Sequence, residues 1–124
     1  MLAIAASQSD TPDALVLLPD VLAVEPEVMI MRQGDDNWVD ITNWRLSVLL
    51  FAEQEGITLA NVDESKANPP TPAIGKLLGV NPGMGKALGL SDDWAYNVIK
   101  QAGNYFEIFE RSLGQGCPTR YRAT

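Results

Sequence analysis

The chain has no histidine and a single cysteine, Cys117. Without histidine, the Ser-His-Asp and Cys-His arrangements of nucleophilic catalysis cannot be assembled. The same shortage removes the nitrogen and sulfur sets that hold zinc, and leaves only an all-carboxylate metal site formally open. A lone cysteine cannot close an internal disulfide, so cysteine usage says nothing about redox compartment. Positive charge is scarce as well: nine Lys and Arg stand against sixteen Asp and Glu, for a net charge of −7. No basic face is left for a nucleic-acid backbone or an anionic lipid surface. Long apolar runs are also missing. No stretch approaches the roughly 18 apolar residues of a membrane span. The opening MLAIAASQSDTPD has no basic start, and its apolar run falls short of the roughly 7–15 residues at the centre of a signal peptide. It reads as the end of a structured element, with any export signal lying outside the chain.

What is present fits one folded core: 124 residues, 46% of them hydrophobic. Residues 14–18 (ALVLL), bounded by Pro19, read as a short buried strand, and 28–31 (VMIM) as a second. RQGDD at 32–36 is a turn, from which Asp35 or Asp36 can cap a helix expected over 37–55. Ile41, Trp44, Val48 and Phe51 recur at helical spacing. Val39, Leu46, Leu49 and Leu50 widen that stripe until the helix asks for burial on more than one side. Gly56 ends it.

Residues 57–63 read as an extended or looped connection, and Asn68-Pro69-Pro70 as a break. Thr71 followed by Pro72 opens a short helix through Leu78, ended by Gly79. A turn at 81–83 precedes one or two helical turns over 84–88, ended by Gly89. Ser91 is placed to cap a last long helix, with Asp92 and Asp93 at its positive end. Trp94, Val98, Ala102, Tyr105 and Phe109 make its apolar row, Gly103 is its weak point, and Gly114 its stop. The expected fold is therefore an α/β fragment, predominantly helical, with about two long and two short helices and one or two short strands.

Four features invite a chemical reading. GVNPGMGKALG at 79–89 suggests a phosphate loop, but Val80 stands where its first glycine should, and Ala87 where a hydroxyl should bind magnesium. A turn between helices is the better account. Asp35, Asp36 and Asp40 suggest calcium, yet the glycine precedes them and a helix follows, which is capping geometry. Trp44 and Trp94 lie on apolar stripes and are expected in the core, which leaves Trp38 as the aromatic to watch. Glu107 and Glu110 share one helix face beside Arg111 and read as a solvated face, not as an acid–base pair. No catalytic residue, metal or cofactor is assigned.

The order of longer segments says more. VLLPD (16–20), VEP (24–26), RQGDDNWVDITNW (32–44), GITLANVD (56–63), GKLLGV (75–80), LGLSDDW (88–94) and GNYFEIFERSLG (103–114) follow one another. In that order they resemble the general amino-acid-binding proteins of family 3 of the extracellular solute-binding proteins, over about residues 2–114. The resemblance implies the substrate-binding component of an ABC importer, periplasmic and non-enzymatic, with L-amino acids as ligands and a membrane permease as partner. It also implies part of a type II periplasmic-binding-protein-like fold, whose two lobes of roughly 100 residues or more each exceed this chain. Residues 1–33 would be the end of lobe two and the return hinge strand. Residues 34–114 would be helices packed on lobe one, and 115–124 an irregular tail.

Glu25 and Pro26 are hinge candidates by this resemblance. The family's ligand-contacting residues would lie before Met1, so none is assigned here. Phe106 stands where the family has glycine, EVMIM (27–31) replaces a more polar segment, and GCPTRYRAT (116–124) replaces an RGLN-type ending. A chain truncated at both ends, by nature or by a shifted reading frame, is the expectation. The alternative is an autonomous helical domain that self-associates or binds a partner without binding a ligand, driven by its over-apolar first helix.

Overall fold

The structure, a computed structural model, describes residues 8–16, 20 and 28–114. The chain divides into two compact units, Met31–Ile108 and a second that combines Met1–Ile30 with Phe109–Thr124. Among the described residues there are five α-helices and two short 3-10 turns, and no strand.

The two strands read from the sequence are corrected on the residues that can be seen. Ala14 closes a 3-10 turn, Pro12–Ala14, and Leu15 leaves it extended. Leu17 and Leu18 lie outside the described residues. Residues 28–30 are irregular and exposed, Ile30 at 91%. A strand needs a neighbour to take its backbone N–H and C=O groups, and the described residues supply none.

Helix α1 (Asp36–Gln54) opens the unit Met31–Ile108. The Asp35 carboxylate accepts the Trp38 N–H at 3.2 Å, so of the two candidate caps it is Asp35 that acts. The hydroxyls of Thr42 and Ser47 donate back to the carbonyls of Trp38 and Asn43, at 2.8 and 2.9 Å. That contents two polar groups on a mostly apolar helix. Gly56, at φ +66°, closes the far end. Its N–H donates to the Glu53 carbonyl and the Ile57 N–H to the Ala52 carbonyl, a two-bond cap that needs a left-handed residue. The reversal drops Ile57 into the core at 2% exposure.

The connection expected over 57–63 instead starts a helix, α2 (Val62–Ala67). Thr58 and Asn61 bond each other reciprocally, each backbone N–H to the other's side chain, and Asn61 also donates to the Gly56 carbonyl. That closed turn launches α2 and buries Val62 and Ser65. Helix α3 (Pro72–Leu77) follows as expected, with the Thr71 hydroxyl accepting the Ile74 N–H at 3.2 Å. The 3-10 turn Lys86–Leu88 then ends at Gly89.

The last long helix is two helices, α4 (Trp94–Ala102) and α5 (Tyr105–Ser112). Gly103 separates them at φ +79°, ψ −173°, a conformation open essentially only to glycine. Nor does Ser91 cap α4: the N-cap is Asp93, which makes no side-chain capping bond.

The core is drawn from α1 to α4, the turn Lys86–Leu88 and the connections between them. Val48 and Ala52 of α1 meet Ile57, Val62 of α2, Ile74, Leu77 and Leu78 of the α3 segment, Leu88, and Trp94, Ala95 and Ile99 of α4. Each large apolar side chain removed from water there contributes about 1.5–3 kcal/mol. Helix α1, however, is buried on one side only. Leu46 and Leu50, on the far side of the helix from Val48, are 37% and 46% exposed, and Trp44 is 48% exposed. The expectation of a core Trp44 is corrected, while Trp94 is buried as expected.

Candidate functional site

An apolar groove of about 360 Å³ opens beside the core. Helix α1 lines it with Trp44, Ser47, Val48 and Phe51, at successive steps of three, one and three residues that put them on one face. Helix α3 supplies Ala73, Lys76 and Leu77, and Met84 closes the wall. Six of these eight side chains are apolar. The polar members are one hydroxyl and one ammonium, with no carboxylate among them. A free amino acid carries an ammonium and a carboxylate, and burying either without a partner is costly. The groove is thus built for apolar side chains, not for a zwitterion.

The glycine loop at 79–89 does cradle an anion, but an internal one. The backbone N–H groups of Gly83 and Gly85 both donate to Asp92 Oδ1, at 2.8 and 3.2 Å. Gly85 is also pressed against the chain: a Cβ there would stand 2.2 Å from the Ser91 carbonyl oxygen. Two of the loop's amides are therefore spent on Asp92, just before α4.

Glu107 is likewise structural. Its carboxylate accepts the N–H groups of Asn104 and Leu59 at 2.8 and 3.1 Å. It is not the solvated residue its spacing suggested. A polar network that sequence reasoning missed joins α2 to α4. Asp63 takes hydrogen bonds from Lys100 and from Tyr96, the latter at 2.8 Å. Lys66 pairs with Asp93 at 2.6 Å and lies over the Tyr96 ring, 4.0 Å from its centroid. The Lys100 and Tyr96 bonds hold the Asp63 carboxyl below its ordinary range, and the bond to Asp63 pushes both Tyr96 and Lys100 up. No sequence signal marked this network, because Asp63 falls in the connection read over 57–63 and no helix was expected over Val62–Ala67. Trp38 is half exposed at the start of α1. The hinge candidates Glu25 and Pro26, and Cys117, lie outside the described residues.

No protein-family model matches the chain. It is 50% identical over 111 residues to the general L-amino acid-binding periplasmic protein AapJ of Rhizobium johnstonii, a match that takes in 88% of this chain and 32% of that protein. The resemblance read from the sequence stands. A putative amino-acid ABC transporter-binding protein of Escherichia coli K12, YhdW, is 47% identical over 111 residues, 90% of this chain and 33% of its own. The backbone superposes, with a TM-score of 0.85 and 42% identity, on an ABC transporter/periplasmic binding protein from Brucella ovis with glutathione bound. That superposition covers 95% of this chain and 37% of the other. The chain thus spans about a third of the length of the curated relatives it matches. None of these names points to the alternative of an autonomous self-associating domain. Among the described residues, no helix is long and apolar enough to cross a membrane.

Proposed function

We propose that the chain serves as the scaffold and hinge end of the substrate-binding component of an amino-acid ABC importer. The component is non-enzymatic, acts in the periplasm and delivers to a membrane permease. In this reading residues 1–33 end lobe two and form the return hinge strand, with Glu25 and Pro26 in the hinge. Residues 34–114 pack on lobe one, and 115–124 are a tail. The observation that carries the reading is 50% identity over 111 residues to a protein named for binding general L-amino acids. The ligand class is compounds with a free α-ammonium and α-carboxylate. Glutathione, held by the Brucella ovis protein, carries both groups at its γ-glutamyl end.

The chain by itself binds such ligands weakly or not at all, because its apolar groove offers no carboxylate to the ammonium. Isothermal titration with mixed L-amino acids and with glutathione tests this. No heat is expected from the 124-residue chain, and micromolar affinity would overturn the expectation. A chimera that places residues 31–114 in the matching stretch of the Rhizobium johnstonii relative is expected to bind amino acids. A cooperatively melting chimera that binds none would sink the assignment.

A further inference from the structure

We draw no further inference here: the strongest candidate, the apolar groove between α1 and α3 lined by Trp44, Phe51, Leu77 and Met84, is an open face, and nothing in the structure shows what covers it.

Discussion

Asn104 and Glu107 cap each other across the first turn of α5. The Asn104 side-chain oxygen accepts the Glu107 N–H at 2.9 Å, and the Glu107 carboxylate returns the bond to the Asn104 N–H at 2.8 Å. This capping box is also a long-range tie. Asn104 Nδ2 donates to the Ile57 carbonyl at 2.9 Å, and Glu107 takes the Leu59 N–H. The start of α5 is thereby fastened to the loop that leaves α1. Asn104 is 5% exposed, so its truncation leaves buried groups unpaired. Asn104→Ala is expected to cost about 2–3 kcal/mol, and Asn104→Asp, which keeps the cap but loses the donor to Ile57, less. Urea unfolding followed by circular dichroism measures both, and equal losses would show that the cap adds nothing to the tie to Ile57.

The residue before the box allows the chain to turn into it. At φ +79°, ψ −173°, Gly103 occupies a region closed to residues with a Cβ. A Cβ there would also stand 2.7 Å from a Glu107 carboxylate oxygen. Gly103→Ala would raise helix propensity if α4 and α5 were one continuous helix, and stabilise it by about 1 kcal/mol. With the break present, the same substitution is expected to destabilise by about 1–3 kcal/mol. The sign of the shift in melting temperature decides between the two architectures.

These two elements show where sequence pattern stops informing. Helix α1 was legible end to end, because nineteen residues repeat the apolar stripe several times and Asp35 and Gly56 mark its limits. Thr71 with Pro72 was legible for the same local reason. Helix α2 was not: six residues complete too few turns for a period to be seen. A single glycine cost of about 1 kcal/mol does not decide whether a helix breaks. The break at Gly103 is decided by bonds to Ile57 and Leu59, more than forty residues away in sequence. The groove was half legible. Periodicity shows that α1 is apolar on several sides but not which side its own unit covers, and Trp44 fell on the uncovered one. The Asp92 contact to Gly83 and Gly85 could not be read at all, because an acidic residue before a helix has an adequate local explanation.

The network between α2 and α4 predicts a pH dependence at both extremes. The Asp63 carboxyl is held low in the folded chain, so its stabilisation is full above the ordinary carboxylate range and lost as pH falls through its depressed value. Tyr96 and Lys100 are both raised, so their share is full below their ordinary values and lost as pH rises through the elevated ones. Between these limits the network adds a flat, salt-sensitive increment, because its members are partly or wholly exposed. Asp63→Asn should therefore flatten the acid limb of a melting-temperature profile. Its effect at neutral pH should be smaller than that of Val62→Ala, which empties a core position. An acid limb unchanged by Asp63→Asn would mean that the bonds to Lys100 and Tyr96 do not persist in solution.

Trp94 sets packing against an unmet hydrogen bond. Trp94 is 7% exposed within the core, yet its indole N–H is buried with no partner among the described residues. An unpaired donor taken out of water costs about 1–3 kcal/mol, which offsets part of what burial of the ring contributes. Removing the whole ring with Trp94→Ala should cost about 3–5 kcal/mol, the range for emptying an aromatic site. Trp94→Phe keeps most of the apolar area and deletes the orphan donor, so it should cost far less, within about 1.5 kcal/mol of the parent. Trp44→Phe, at a half-exposed position, should change stability by no more than about 0.5 kcal/mol. Fluorescence separates the two sites in the same samples. Loss of Trp94 should remove the blue-shifted component of the emission, and loss of Trp44 part of the red-shifted one. A Trp94→Phe protein as unstable as Trp94→Ala would mean that the indole N–H has a partner in solution, a buried water or a backbone carbonyl.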